Sequence, residues 1–334
     1  MLTAAGLFSS ALDPLIGVAG DTRGRRAVVL AGGVAFAGSA ALVAVSLGFW
    51  TLLAALLLGY AGSSGFVSLA QATLMDLDPA RRERNMAWWT LAGSCGYVGG
   101  PLLIAAVEAA GLGWRAAFVA FAALTLPLVL AARRFPSRPA GSSASLRESA
   151  AGVRAALRSR DVLRWLVVLE AVDLLLDVFF TFLAVYLVDV VGVSPATAAL
   201  GIAAWTGAGL AGDALLVRAL RRFDGLRWLR ATAVAALAAY PAFLVVPGLG
   251  AKLALAAVLG LLDSGWYAIP KARLYEALPG QSGAAVAAGG FAGLAGELSP
   301  LLFGAAAAAF GLGSTMWALL LAPIALLALV PRRG

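Results

Sequence analysis

Three carboxylates follow one another at helical spacing in an otherwise apolar stretch of the sequence. Glu170, Asp173 and Asp177 stand in "LEAVDLLLDVFF", where positions i, i+3 and i+7 fall on one face of a helix. Acids embedded in apolar spans bind cations or carry protons. At about 1.5 Å per residue, Asp177 lies ~20 Å from Arg164, which marks the aqueous boundary. We expect Asp177 to be functional, and the alternative is a structural hydrogen bond between helices. We expect Glu170 to pair with arginines near the boundary. For Asp173 the sequence does not decide between a functional and a structural role.

Three further acids, Asp13, Asp263 and Glu297, also fall inside apolar runs, whereas no Lys or Arg stands at mid-depth in any of them. A cavity between these runs would therefore be acidic. It would favour a cationic or neutral solute over an anion, and its carboxyl groups could load and release protons. Four other side chains are candidates for stacking on a neutral solute or for hydrogen bonds to it: Thr181, Trp205, Trp266 and Tyr267.

The composition indicates a membrane protein. Of 334 residues, 62% are hydrophobic and 13% charged, and the mean hydropathy is +0.92; a soluble chain of this size cannot hide so much apolar surface. The chain has no histidine and no phosphate-binding Gly-Lys-Ser/Thr loop. We therefore expect no enzymatic activity, no cofactor, no metal site and no use of ATP. The basic residues separate apolar runs, so nucleic-acid binding is not indicated.

Apolar runs near 20 residues long predict about eleven transmembrane helices in an all-α, polytopic fold. The predicted spans are 2–19, 27–48, 50–75, 85–110, 114–133, 162–189, 195–217, 228–247, 250–269, 283–311 and 314–331. Of the 25 basic residues, all but Arg115 and Lys252 fall in alternate loops. The excess of Lys and Arg on the cytoplasmic side predicts a multi-pass protein of the plasma (inner) membrane, with its N-terminus outside and its C-terminus cytoplasmic.

The chain divides into two helical halves, 1–133 and 162–334, joined by a cytoplasmic linker at 134–161 that ends in an amphipathic helix. A short repeat supports this division: "GVAGD" at 17–21 and "GLAGD" at 209–213 both end an apolar span on the basic side. Internal repeats of this kind are typical of transporters. The offset places the counterpart of span 162–189 before Met1, so we expect the first half to lack its first helix.

The first copy of the repeat belongs to a tight loop between two spans, "GVAGDTRGRRAVVL" at 17–30. Gly24 permits a left-handed turn, Gly17 and Gly20 permit close helix contact, and Asp21 can cap a helix or pair with an arginine. The stretch resembles the loop motif of the major facilitator superfamily, to which Ala19 and Thr22 do not conform. The residues that match are Gly17, Asp21, Gly24, Arg25 and Arg26.

A second stretch, "DPARRERNMAWWTLAGSCGYVGGPLL" at 78–103, is similar to the fourth loop and fifth helix of the same superfamily. Gly96, Gly100 and Pro101 match its Gly-x-x-x-Gly-Pro pattern, but Ile104 and Ala105 replace the glycines that usually follow. The glycines predict close helix packing, and the proline predicts a bend. The arginine that the family carries on its fourth helix is absent.

The resemblance implies a fold of two pseudo-symmetric halves, here without the first helix, and a secondary transporter working by alternating access. It also implies that spans 162–189, 250–269 and 283–311 contribute to the cavity. The residues of the conformational latch would be Gly17, Gly20, Asp21, Gly24, Arg25, Arg26, Arg81 and Asp213. We expect a monomer in the lipid bilayer that exports a small cationic or lipophilic compound coupled to protons. The alternatives are uptake or facilitated diffusion of a neutral solute such as a sugar, and a truncated protein without transport.

Overall fold

The computed structural model describes the backbone of residues 2–134 and 146–332, and their side chains except those of residues 2–5, 9, 21, 23, 146 and 149. The described part is helical and contains no strand. Its helices, in chain order, are α1 (Leu2–Arg23), α2 (Arg25–Val45), α3 (Phe49–Leu77), α4 (Pro79–Ala109), α5 (Trp114–Ala132), α6 (Leu146–Ala156), α7 (Arg160–Asp189), α8 (Pro195–Ala219), α9 (Gly225–Val245), α10 (Leu249–Leu262), α11 (Ala268–Glu276), α12 (Ser282–Phe310) and α13 (Leu312–Leu329).

Nine helices within the described ranges are long and apolar enough to cross a membrane: α2, α3, α4, α5, α7, α8, α9, α12 and α13. The two other predicted spans coincide with shorter apolar helices, Gly6–Gly20 within α1 and Leu249–Leu262. The predicted all-α membrane fold is therefore confirmed. The expected lack of a first helix stays a prediction, as does the orientation of the termini.

The junction of α1 and α2 shows how one residue can reverse the chain. Gly24 alone separates the two helices, and its φ of 91° is a conformation that L side chains avoid. The loop predicted between residues 19 and 27 is thus a single glycine. Two other helices begin with a polar side chain that caps them: Ser194 accepts a hydrogen bond from the Thr197 amide, and Asp224 accepts one from the Arg227 amide.

Three long helices are interrupted inside the apolar region. The backbone widens to π-helix at Ser64–Ser68 in α3 and at Leu174–Val178 in α7, a feature that is frequent at functional sites. In α12 a turn at Glu297 and Leu298 separates Ser282–Gly296 from Ser299–Phe310.

The predicted span 250–269 is wrong at its end. Helix α10 stops at Leu262, residues 263–267 form a turn, and α11 begins at Ala268. Gly265 has a φ of 87°, and the Trp228 indole donates a hydrogen bond to the Ser264 carbonyl oxygen at 3.1 Å. Asp263 therefore stands at the break between α10 and α11 rather than inside a continuous helix. Asp263, Ser264 and Gly265 are typical turn residues, but the apolar residues on both sides of them add up to the length of one span.

The described residues group into two compact units. The first comprises Met1–Ala80, Gly99–Leu163 and Leu274–Glu297, and the second comprises Arg81–Val98, Arg164–Arg273 and Leu298–Gly334. This grouping by contact departs from the predicted halves at two places. The start of α4 packs with the second unit, and the first part of α12 packs against α1 in the first.

Candidate functional site

The second unit encloses a cavity of about 380 Å³, within the size range of small-molecule sites. Helices α4, α7 and α8 and the turn after α10 supply its walls. Among the described residues that line it there is no Lys or Arg, so the charged groups of this lining are all acidic. The lining residues are Trp89, Thr90, Gly93, Ser94, Tyr97, Asp173, Leu176, Asp177, Phe180, Trp205, Thr206, Gly209, Leu210, Asp213, Asp263, Gly265 and Tyr267.

Helix α7 contributes two of the three acids that the sequence singled out. Asp173 and Asp177 both line the cavity, and Asp177 lies inside the π-helical segment Leu174–Val178. Glu170 does not belong to the lining. The predicted stripe of three acids is thus divided, with two carboxylates in the cavity and the third outside it.

Two more carboxylates belong to the cavity wall formed by α8 and the end of α10. Asp213 is buried and accepts a hydrogen bond of 2.5 Å from the Ser94 hydroxyl on α4. Asp263 accepts a hydrogen bond from the Trp205 side chain, and the charges of Asp263 and Asp213 are close enough to interact. The repeat had led us to assign Asp213 to the latch loop, whereas the structure places its carboxylate in the cavity.

Aromatic rings form much of the remaining wall. The centroids of Phe180 and Trp205 are 5.5 Å apart, and those of Tyr97 and Phe180 are 6.5 Å apart. Behind them, Phe179 is fully buried, and its ring packs against Trp205 at 6.2 Å. Phe179 also packs against Tyr240 at 5.7 Å. This packed layer fixes the position of Trp205, so the ring faces the cavity with little freedom to move.

The other predicted binding residues divide between the cavity and its surroundings. Tyr267 lines the cavity, but Thr181 does not. Trp266 is fully buried, and its indole donates a hydrogen bond to the Thr232 hydroxyl at 2.9 Å. Trp266 therefore anchors the turn that carries Asp263 and Tyr267, and it is not part of the cavity wall.

The two remaining acids, Asp13 and Glu297, belong to the first unit. The Ser64 hydroxyl, in the π-helical segment of α3, donates a hydrogen bond to Asp13. The Glu297 carboxylate lies against Gly6, where any side chain would collide with it. In that unit both acids occupy close contacts between helices.

The predicted latch loop contains a buried ion pair of the first unit. The Arg25 guanidinium contacts Asp76 at 2.5 Å, and Arg25 also donates to the Ser282 hydroxyl. Ser282 in turn donates to Asp76 at 2.5 Å. The sequence analysis did not predict that Asp76 and Ser282 take part in this network. Asp76 stands at the end of a span close to basic residues, which is a usable signal, but nothing in the sequence distinguishes Ser282.

The glycines of this loop differ in what they contact. A Cβ at Gly17 would lie 2.5 Å from the Gly283 carbonyl oxygen, and one at Gly20 would lie 2.9 Å from Leu69, so both permit close packing. Arg26 donates to the Arg133 carbonyl oxygen at 3.5 Å, and Arg81 is exposed. The side chain of Asp21 is outside the described residues.

The glycines of α4 have no such neighbours. Among the described residues, no atom lies within 4 Å of a Cβ added at Gly96 or Gly100. Pro101 lies within the helix. The close packing expected of this motif is therefore not seen in the described residues.

Comparison with known proteins agrees with this fold. The family profile described as Major Facilitator Superfamily matches residues 1–296. Among curated proteins, none matches the chain.

Solved structures of transporters share the fold at low sequence identity. The human organic anion transporter MFSD10 (TETRAN) has a TM-score of 0.80 at 20% identity, over 99% of this chain and 82% of its own. The transporter FucP in its outward conformation has a TM-score of 0.84 at 15% identity, and the match covers 100% of this chain and 89% of FucP. The proton:xylose symporter XylE, bound to 6-bromo-6-deoxy-D-glucose, has a TM-score of 0.75 at 16% identity. The match covers 98% of this chain and 85% of XylE.

These likenesses establish the fold alone, whereas the profile match extends over most of the sequence. It agrees with the helical membrane architecture, the one-residue turn at Gly24 and the buried Arg25 beside it. The chain is a member of the Major Facilitator Superfamily.

Proposed function

We propose that this secondary transporter exports a small cationic or lipophilic compound in exchange for protons, by alternating access of the cavity in the second unit. The observation that carries the proposal is the lining of that cavity, whose described residues combine four carboxylates with five aromatic rings and include no Lys or Arg. Carboxylates and ring faces both attract a cation, and the rings also accept its apolar parts.

The arrangement of charge argues against an anionic substrate. An anion in this cavity would meet four aspartates, and the described lining residues offer it no Lys or Arg. Like charges at close range cost more free energy inside a protein than in water, because the effective dielectric constant is lower. The same repulsion acts among the four carboxylates themselves when the cavity is empty.

Proton coupling follows from that repulsion. Protons on the empty cavity would reduce the negative charge, and an entering cation would reduce it equally well. Proton and cation would then compete for the same carboxylates, which is the requirement for exchange. In this proposal Asp177 is the principal coupling residue, and Asp173 and Asp263 assist it.

The Arg25–Asp76–Ser282 network is the proposed latch. It joins the start of α2, the end of α3 and the start of α12 within the first unit. A buried ion pair with a shared hydroxyl has one well-defined geometry, so breaking it offers a discrete second state. We propose that this network closes in one of the two access states and opens in the other.

A neutral solute such as a sugar is the second candidate. Trp205, Thr206 and Tyr267 line the cavity and present a ring surface and hydroxyl groups that a sugar could use. XylE, which has this fold, is described as a proton:xylose symporter. The acidic lining favours the cation, but sugar hydroxyls could still donate hydrogen bonds to its carboxylates.

Flux into vesicles separates the candidates. Purified protein in proteoliposomes is given an imposed pH gradient, and the movement of a labelled organic cation and of a labelled sugar is followed. The proposal expects cation movement that depends on the gradient and is lost in Asp177→Asn. Sugar flux that ignores the gradient would support the second candidate, and a folded protein without any flux would support a non-transporting one. Coupled flux that is unchanged in Asp177→Asn would remove the assignment of Asp177.

A further inference from the structure

Helix α6 (Leu146–Ala156) and the residue pair after it carry a line of arginines that the proposed transport cycle does not use. Arg147, Arg154 and Arg158 are all exposed. They stand at positions i, i+7 and i+11, which at about 100° per residue lie within some 20° of one direction around a helix. The three guanidinium groups therefore form a single stripe along α6, which we call the arginine stripe.

The opposite face of α6 is covered by protein. Ala156 lies about 180° from Arg147 around the helix and is buried. Helix α6 packs against α1 and against the first part of α12. A Cβ added at Gly152 would lie 3.0 Å from the Gln281 side-chain oxygen, immediately before α12 begins. The contacts thus hold α6 at the end of a membrane-crossing helix, with the arginine stripe directed away from the first unit.

The arginine stripe lacks carboxylate partners within the described residues. In that part of the chain, ion pairs join Arg25 to Asp76 and Arg273 to Glu83, and no contact of Arg147, Arg154 or Arg158 with a carboxylate is seen there. The exposed acid on α6, Glu148, lies about a quarter turn from Arg147. Three solvated charges in line, without partners, gain nothing for the fold, so they are available to an anionic surface.

We propose that the arginine stripe binds the phosphate headgroups of anionic phospholipids in the leaflet that borders the start of α12. The position of α6 at the end of a membrane-crossing helix brings it to the headgroup level. Arginine suits this occupant, because its planar guanidinium donates paired hydrogen bonds to phosphate and its long stem reaches toward the interface. Clusters of basic residues beside a bilayer are attracted to anionic lipid, and three of them predict an affinity gain on the order of a hundredfold.

The test compares hydrogen exchange of residues 146–158 in the full-length protein between two kinds of nanodisc. One kind contains phosphatidylcholine alone, and the other also contains phosphatidylglycerol. We expect the amides of α6 to exchange about tenfold more slowly in the anionic discs, because bound headgroups oppose detachment of the helix. The triple variant Arg147→Gln/Arg154→Gln/Arg158→Gln should lose this difference, and Arg154→Gln alone should reduce it.

A matched control removes the same charge elsewhere. Arg218, Arg221 and Arg222 are also exposed, and their triple Gln variant should keep the lipid-dependent protection of α6. The proposal is overturned if the wild-type protein shows no difference between the discs, or if the α6 triple variant retains it. If glycerol phosphate added to phosphatidylcholine discs protects α6 equally well, the stripe binds soluble phosphate and the lipid assignment is wrong.

Discussion

The four cavity carboxylates differ in how they are held. Asp213 is buried and bonded to Ser94, and Asp263 is bonded to Trp205. Asp173 and Asp177 line the cavity from α7, whose backbone widens at Leu174–Val178. Acids that already have donors are positioned for structure as much as for binding, whereas Asp177 presents an exposed side chain to the cavity. This contrast is the reason for placing the exchange of proton and cation at Asp177.

Ser94→Ala tests whether its hydroxyl positions Asp213. Loss of the donor leaves a buried carboxylate with fewer hydrogen bonds, which typically costs about 1–3 kcal/mol. We expect the melting temperature in detergent to fall by several degrees. As a control, Cys95→Ala changes the next residue, which is exposed, and should leave the melting temperature unaltered. In an Asp213→Ala background, Ser94→Ala should cost much less; an equal cost in both backgrounds would show that the hydroxyl acts on something else.

Trp205 has two roles that a pair of variants can separate. Trp205→Phe keeps a ring beside Phe180 and Phe179 but removes the indole donor to Asp263. We expect a modest loss of cation affinity in Trp205→Phe and a loss of about tenfold or more in Trp205→Ala, because a ring face attracts cations. Binding is measured by isothermal titration calorimetry. Trp317→Phe is the control, because Trp317 is exposed and lies outside the cavity. Equal cation affinity of all three variants would exclude Trp205 from the site.

At the scale of the helices, the sequence predicted most of the fold and part of the cavity. Apolar length located the membrane-crossing helices, and depth within them identified Asp173, Asp177 and Asp263. The break after Leu262 was missed although Asp263, Ser264 and Gly265 are typical turn residues, because the apolar residues on both sides add up to the length of one span. Ser94 and Asp213, 119 residues apart in the chain, were not paired for another reason. Helical periodicity describes neighbours on one helix, whereas this contact depends on which helices pack together.

The turn at Gly265 can be tested against a second glycine of similar conformation. Both Gly265 and Gly280 have positive φ, 87° and 72°. A Cβ at Gly265 would meet Ile269 at 3.0 Å and Leu216 at 3.2 Å, whereas one at Gly280 would meet nothing within 4 Å among the described residues.

Gly265→Ala should therefore destabilise by more than the roughly 1–2 kcal/mol of a left-handed alanine, and it should weaken ligand binding by displacing Asp263 and Tyr267. Gly280→Ala should show only the backbone cost in a thermal melt and bind normally. Identical behaviour of the two variants would contradict the view that crowding at this turn shapes the cavity.

At the scale of the whole molecule, each unit has its own polar centre. The first unit contains the Arg25–Asp76–Ser282 network, and the second contains the acidic cavity together with the Arg273–Glu83 ion pair at 2.8 Å. Arg25 and Asp76 thus form an ion pair in the first unit, whereas the described residues that line the cavity include four aspartates and no lysine or arginine. Of these two centres, the sequence predicted Arg25 and the acidic character of the cavity, but it did not predict the network partners.

Arg25 contacts two partners through different nitrogens, so lysine should not replace it. Removing one member of a buried ion pair typically costs about 3–5 kcal/mol, and Arg25→Gln should approach this value, since only 8% of the Arg25 side chain is exposed. Arg25→Lys should recover less than half of it, because a single ammonium lacks the planar fork. Chemical unfolding gives these values. The adjacent Arg26→Gln, at an exposed position, should cost little, and an equal cost at both positions would argue against the network.

The central claim is that a cation and protons compete for the carboxylates of the cavity, and proton release on binding tests it most directly. Benzyltrimethylammonium is added to the purified protein in weakly buffered detergent, and protons are counted with a pH indicator. Neopentylbenzene, its uncharged counterpart of the same shape, is the control ligand. The account predicts proton release with the cation, none with the neutral compound, and a clear reduction in Asp177→Asn. Binding of the cation without any proton release would contradict it.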